Sequence, residues 1–193
     1  IVVRDKNGKV VSRLKKKSHS PTSNFIALMT PQTWYNATGQ TRNIVNTSNS
    51  SNTWNNDFIY PNTQFIYSTY ISGIGIGSGT SSNSYSMYNL AAPISNGSGT
   101  GQLLYGTLSV PNSITINGNE AYFIISQMFT NNSGGTVNIT EVGIEISLQG
   151  YDRSSGYDIS YGTVLVWYDT LSSAVSVSNG SSITVYYTFA VNP

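Results

Sequence analysis

The densest candidate for chemistry in this sequence is "GIGIGSGTSS", Gly73 to Ser82, whose glycine spacing is that of a phosphate-binding loop. Such a loop cradles an anion with backbone N–H groups only where a strand leads in and a helix N-terminus follows. "FIYSTYIS", Phe65 to Ser72, alternates aromatic and β-branched residues and supplies the strand. No helix follows, because "TSSNSYSMYNLAAPISNGSGTG" is rich in turn formers and has no helical apolar period. Nor is there a Gly-Lys-Ser/Thr sequence, or an acid about twenty residues on to hold a ribose. Ile71, Ile74 and Ile76 are expected to end a strand, with the glycines letting the chain bend or pack closely.

The remaining reactive side chains are scattered. His19 is the only histidine and there is no cysteine, which excludes disulfides and thiolate metal sites. A Ser-His-Asp triad would have to use His19, which stands beside a lysine run with no strand-turn-helix elbow near it. The acids after residue 20 are Asp57, Glu120, Glu141, Glu145, Asp152, Asp158 and Asp169. Glu141 and Glu145 point to one side of a strand, about 13 Å apart. Glycoside hydrolysis places its carboxylates about 5–9.5 Å apart, so the pair is not a catalytic couple. "DRSSGYD", Asp152 to Asp158, could form a calcium loop but lacks the alternating oxygen ligands and closing Glu of an EF-hand. The residues point to no catalytic site, metal or cofactor.

Charged residues make up only 9% of the chain, and 14 tyrosines dominate the aromatics. Solubility rests on hydroxyls and amides, which suits a β-rich, extracellular or assembled protein better than a helical cytosolic enzyme. No apolar run is long enough for a membrane-spanning helix. The first residue is Ile rather than Met, so a preceding segment is expected to be either processed away or outside this sequence. The net charge of +1 hides an asymmetry: residues 1–17 carry +6 and the rest −5. Arg13, Lys15, Lys16 and Lys17 are the candidates for contact with an acidic subunit face or with nucleic acid. Against them stands a solvated strand edge, where lysine discourages unwanted pairing. Sequons for N-glycosylation stand at Asn36, Asn46, Asn49, Asn96, Asn131, Asn138 and Asn179, about as many as this composition gives by chance.

The elements that must position these residues are mostly strands. "IVVRDKNGKVVSRL" reads as two strands around an Asn7-Gly8 turn, within a basic arm over residues 1–19. Residues 20–193 form the main domain. Its one short helix is expected to be capped by Ser20, with Pro21 at the first helical position and Pro31 ending it. Phe25, Ile26, Leu28 and Met29 would cover a sheet. Residues 35–56 read as a polar loop with a short strand near Asn43–Asn46. Strands are expected at 57–60, 64–72, 102–110, 113–117, 120–130, 135–148, 160–168, 173–178 and 182–191, the last two as a hairpin around Asn179-Gly180. In "TEVGIEISL", Val142, Ile144, Ile146 and Leu148 face a core and Glu141, Gly143, Glu145 and Ser147 the other way. The fold class expected is an all-β, antiparallel, jelly-roll-like β-sandwich.

Several segments, in order, resemble structural proteins of virus particles, particularly those of archaeal viruses and related prophages. They are "VVRDKNGKVVSRLKKKSHSPTSNFIALM", "ISGIGIGSGTSSNSYSMYNLAAPI", "MFTNNSGGTVNITEVGIEI" and "VLVWYDTLSSAVSVSNGSSITVYYTFAV". Gly75, Gly77, Thr80, Tyr88, Leu90 and Ile94 carry the first recurring motif. Thr130, Asn131, Ser133, Gly134, Glu141, Val142 and Gly143 carry the second, and Gly180, Ile183, Val185, Tyr187 and Phe189 the third. The resemblance implies a self-assembling, non-enzymatic virion component whose partners are copies of itself and other virion subunits. Two other readings compete: a cell-surface filament or pilus subunit assembled by strand addition, and a carbohydrate-binding module using Trp34, Trp54 or Trp167.

Overall fold

The computed structural model describes residues 1–18, 21–29, 41–55, 64–82, 84–152 and 156–191. Its elements in chain order are β1 (Val2–Arg4), β2 (Val10–Arg13), α1 (Ser23–Met29), β3 (Thr41–Val45), β4 (Ser51–Asn55), β5 (Gln64–Gly77), β6 (Leu104–Ser109), β7 (Thr115–Asn117), β8 (Glu120–Thr130), β9 (Val137–Asp152), β10 (Tyr157–Val177) and β11 (Ser182–Val191). All named strand pairs are antiparallel. The larger sheet runs β2-β1-β11-β8-β6, with β7 also on β8; the smaller runs β10-β9-β5; β3 and β4 pair separately. The expected strand at 57–60, Pro31, Ser20 and His19 lie outside the described residues.

The two sheets face each other across one core. Alternation places Ile125, Phe129, Ile183 and Val185 of the larger sheet against Ile74, Ile76, Val142, Ile144 and Val164 of the smaller. Each such fully buried side chain stabilises the fold by about 1.5–3 kcal/mol. Gln127 crosses this interior: its amide oxygen accepts from the Ile74 N–H at 2.8 Å and its NH2 donates to the Gly106 carbonyl at 2.9 Å. The antiparallel sandwich and, among the described residues, the one short helix match what the sequence predicts.

Several local expectations change. The β1–β2 connection has three residues rather than two, because Gly8 alone adopts positive φ (80°) and the Asp5 carboxylate gathers the Asn7 and Lys9 N–H groups. Helix α1 starts later than Ser20–Pro21. Thr22 caps it, and Pro21 is extended, bridging to Trp167. Ile26 is exposed rather than packed on a sheet. Within the polar stretch 35–56, β3 and β4 form a hairpin whose turn is knotted by Asn46, its side-chain oxygen accepting from the Ser48 and Ser50 N–H groups.

The largest change is at Asn179-Gly180. These residues do not join a hairpin; the chain there passes from β10 in the smaller sheet to β11 in the larger. The gap expected between residues 168 and 173 is a bulge inside one strand, where β10 pairing jumps from Thr170↔Glu141 to Val175↔Ile139. The same jump shifts the alternation of β9, so that Val137 and Ile139 before it, and Val142 and Ile144 after it, all reach the core.

Candidate functional site

Glu141 stands at that shift in β9, and it is fully buried. The face it shares with Gly143 and Glu145 is largely covered, where simple alternation expects it to meet solvent. Residues 78–82 and 84–94 fold over it, with Leu90 packed on Leu165 and Tyr168. The Glu141 carboxylate accepts from the N–H groups of Gly79 (3.0 Å), Ala91 (3.0 Å) and Ala92 (2.7 Å) and from the Tyr168 hydroxyl (2.9 Å). Burial first, and the bond to Glu141 second, push the Tyr168 hydroxyl up from its ordinary value.

This arrangement explains the glycines. A Cβ at Gly79 would stand 2.5 Å from the Glu141 oxygen and 2.6 Å from the Ala91 methyl. At Gly77 it would collide with the same carboxylate and come within 2.7 Å of the Ala92 carbonyl. At Gly143 it would meet Leu165 at 2.6 Å and the Trp167 carbonyl at 2.7 Å. The glycine-rich loop does give one backbone N–H, that of Gly79, to a carboxylate it shares with Ala91 and Ala92, but the carboxylate is the chain's own. Glu145, on the same face, is half-buried, and burial raises its pKa. Burial first and the Glu145 charge second push the Tyr105 hydroxyl up to about 12.

The basic arm is tied to β10 at a second carboxylate. Asp169 is buried and its Oδ2 accepts from Ser18 Oγ (2.5 Å) and the Tyr187 hydroxyl (3.4 Å). Its Oδ1 has no hydrogen-bond donor, and the Lys16 ammonium stands 3.7 Å away while donating to the Thr170 carbonyl at 2.6 Å. Burial, then Asp169, raise the Tyr187 hydroxyl. The Trp167 indole N–H donates to Ser18, and its ring lies edge-on to Phe25 and Phe189. Trp167 is therefore packed, not a sugar platform. Further along, Thr22 and Asn24 bond the Val166 and Leu165 carbonyls and the Thr47 N–H bonds that of Thr163, so this stretch of the β10 edge is covered.

The predicted contact residues Arg13, Lys15, Lys16 and Lys17 are all exposed, and Lys16 also has this internal role. All four line a cleft of about 880 Å³ along β11, whose inner wall includes Leu14, Leu171, Tyr187 and Phe189.

The sequons divide. Asn131 is fully buried. Its NH2 donates to the Gly135 (2.8 Å) and Val177 (2.6 Å) carbonyls and its oxygen accepts from Ser133, so a glycan there is incompatible with the fold. Asn49, Asn96, Asn138 and Asn179 are exposed and Asn46 half-buried; Asn36 lies outside the described residues. Among the described residues no group of three or more His, Cys, Asp or Glu could hold a metal ion. No helix there is long and apolar enough to cross a membrane. Comparison with family models, with curated proteins and with solved structures finds no match for this chain.

Proposed function

We propose that this chain is a non-enzymatic structural subunit of a virus particle, built to assemble with copies of itself. The observation that carries the reading is the outer face of the larger sheet. There Ile124, Met128, Tyr186 and Leu104 are exposed, and β8 and β11 carry a single charged residue between them, Glu120. A part-apolar sheet face of this kind, whose charged residues Arg4, Arg13 and Glu120 stand at its margins, is a surface for another protein. The ordered segments that resemble virion proteins support the same reading. So do the carboxylates Glu141 and Asp169, which are engaged in holding loops. A filament subunit is the second reading, favoured by the open edge of β11 beside the cleft.

Purified protein is expected to sediment as a large species, with closed shells or helical assemblies in electron micrographs, and to show no saturable glycan or peptide hydrolysis. A stable monomer at every native salt, temperature and pH overturns the proposal, and so does hydrolytic turnover.

The exposed lysines refine it. Because Lys16 holds the arm in place, the informative variant is Lys15→Gln with Lys17→Gln. It should weaken assembly about tenfold at low ionic strength, with the difference vanishing as salt rises. Sedimentation at two ionic strengths measures this; equal assembly at both makes the two lysines a solvated edge.

A further inference from the structure

Toward the β7 end, the larger sheet narrows to β11, β8 and β7, and among the described residues both of its edges are open. β8 pairs with β11 from Ser182 to Val191, but β1 covers only Ser182 to Thr184 on the other side. Beyond Thr184 the edge of β11 borders the cleft, with Tyr187 and Phe189 on its apolar wall and Lys15 and Lys17 at its rim. At the opposite edge stands the β7 hairpin, turning through Gly118 (φ 59°). Residues 110–119 are all exposed, including Ile114 (60%) and Ile116 (72%), so this hairpin packs on little of its own subunit.

We propose that the open edge of β7 in one copy pairs with the open edge of β11 in the next, joining larger sheets head to tail. This rests on the assembly reading above and names the contact. Three observations converge on it. Ile116 pairs with Ala121, on the face of β8 that turns Phe123 and Ile125 inward. In a sheet continued across copies, Ile116 and, two residues away, Ile114 come onto the face of Tyr187 and Phe189 and close the cleft. The hairpin, residues 110–120, carries one acid, Glu120, and no base, so it is complementary in sign to the basic arm that lines the cleft. Two open edges on one sheet make the contact heterologous, so copies add in one direction into a ring or a helical array.

The chain has no cysteine, so introduced thiols are unique. Thr115→Cys and Thr188→Cys, exposed and on the same outer face through their pairing with Tyr122 and Ile124 of β8, purified separately, mixed and treated with a short bis-maleimide, should give at least ten times more covalent dimer than either alone. Equal yield from either variant alone, or none from mixed assemblies, overturns the contact. Ile114→Asp with Ile116→Asp should keep the wild-type circular dichroism and a cooperative melt and lose the large species. If wild type and this variant both assemble, the β7–β11 contact is wrong and the assembly reading stands; if wild type stays monomeric, both fall.

Discussion

Replacing Glu141 with alanine is expected to cost about 4 kcal/mol of folding free energy, a large share of what an ordinary domain has. The change leaves the N–H groups of Gly79, Ala91 and Ala92 and the Tyr168 hydroxyl facing a void. Each buried donor left without an acceptor costs about 1–3 kcal/mol, and water entering the void recovers part of the sum. Glu141→Gln should cost about half as much. Its amide oxygen still accepts from Gly79 and Ala92, but its NH2 meets the Ala91 N–H, donor against donor. The Tyr168 hydroxyl can rotate to accept instead. Urea unfolding of both variants checks this. A loss under about 1 kcal/mol for the alanine variant would mean that residues 78–82 and 84–94 are held by something else.

Asn131→Ala should cost about 3 kcal/mol, for a different reason. The chain crosses between sheets twice at one end of the sandwich: from β8 to β9 through residues 131–136, and from β10 to β11 through 178–181. Asn131 laces the crossings together. Its N–H donates to the Ser181 carbonyl at 2.9 Å, its own carbonyl accepts from Gly180 at 2.7 Å, and its side chain holds Val177 and Gly135. The backbone pair survives the substitution, while the Val177 carbonyl and the Ser133 N–H lose this partner and the Gly135 carbonyl keeps only the long bond from the Ser133 hydroxyl at 3.5 Å. Asn179→Ala, which removes one exposed bond to the Gly134 N–H, should cost under about 1 kcal/mol. If the two variants melt together, the crossings are not coupled through Asn131.

The strands were legible where one face is mostly apolar along its length. β8 and β11 fall at the residues alternation predicts, 120–130 and 182–191. Asn179-Gly180 shows the limit of such local signals. Gly180 does adopt positive φ (80°) and the chain does turn, but a turn does not say which sheet receives the next strand. That is decided by Ile183 and Val185 packing beside β8. The outer face of β9 was illegible for a similar reason. The cover over Glu141 is a stretch with no period of its own, held by backbone groups that leave no mark in residue type. The glycines were the trace it left, and their reading as close-packing positions was right. Their partner, a carboxylate more than sixty residues away, is visible only once β5 and β9 pair.

How Glu141 holds its cover bears on how this surface can change over generations. It grips the segment by three main-chain N–H groups, which every residue except proline possesses. Leu90 and Met87 add packing against Leu165 and Tyr168, while Ser81, Ser82, Tyr85, Ser86 and Tyr88 are exposed. Substitutions there meet weak stability constraints, whereas Gly77, Gly79 and Glu141 are fixed together. The outer surface of the smaller sheet can thus diversify at the rate its contacts demand while the sandwich beneath keeps its shape.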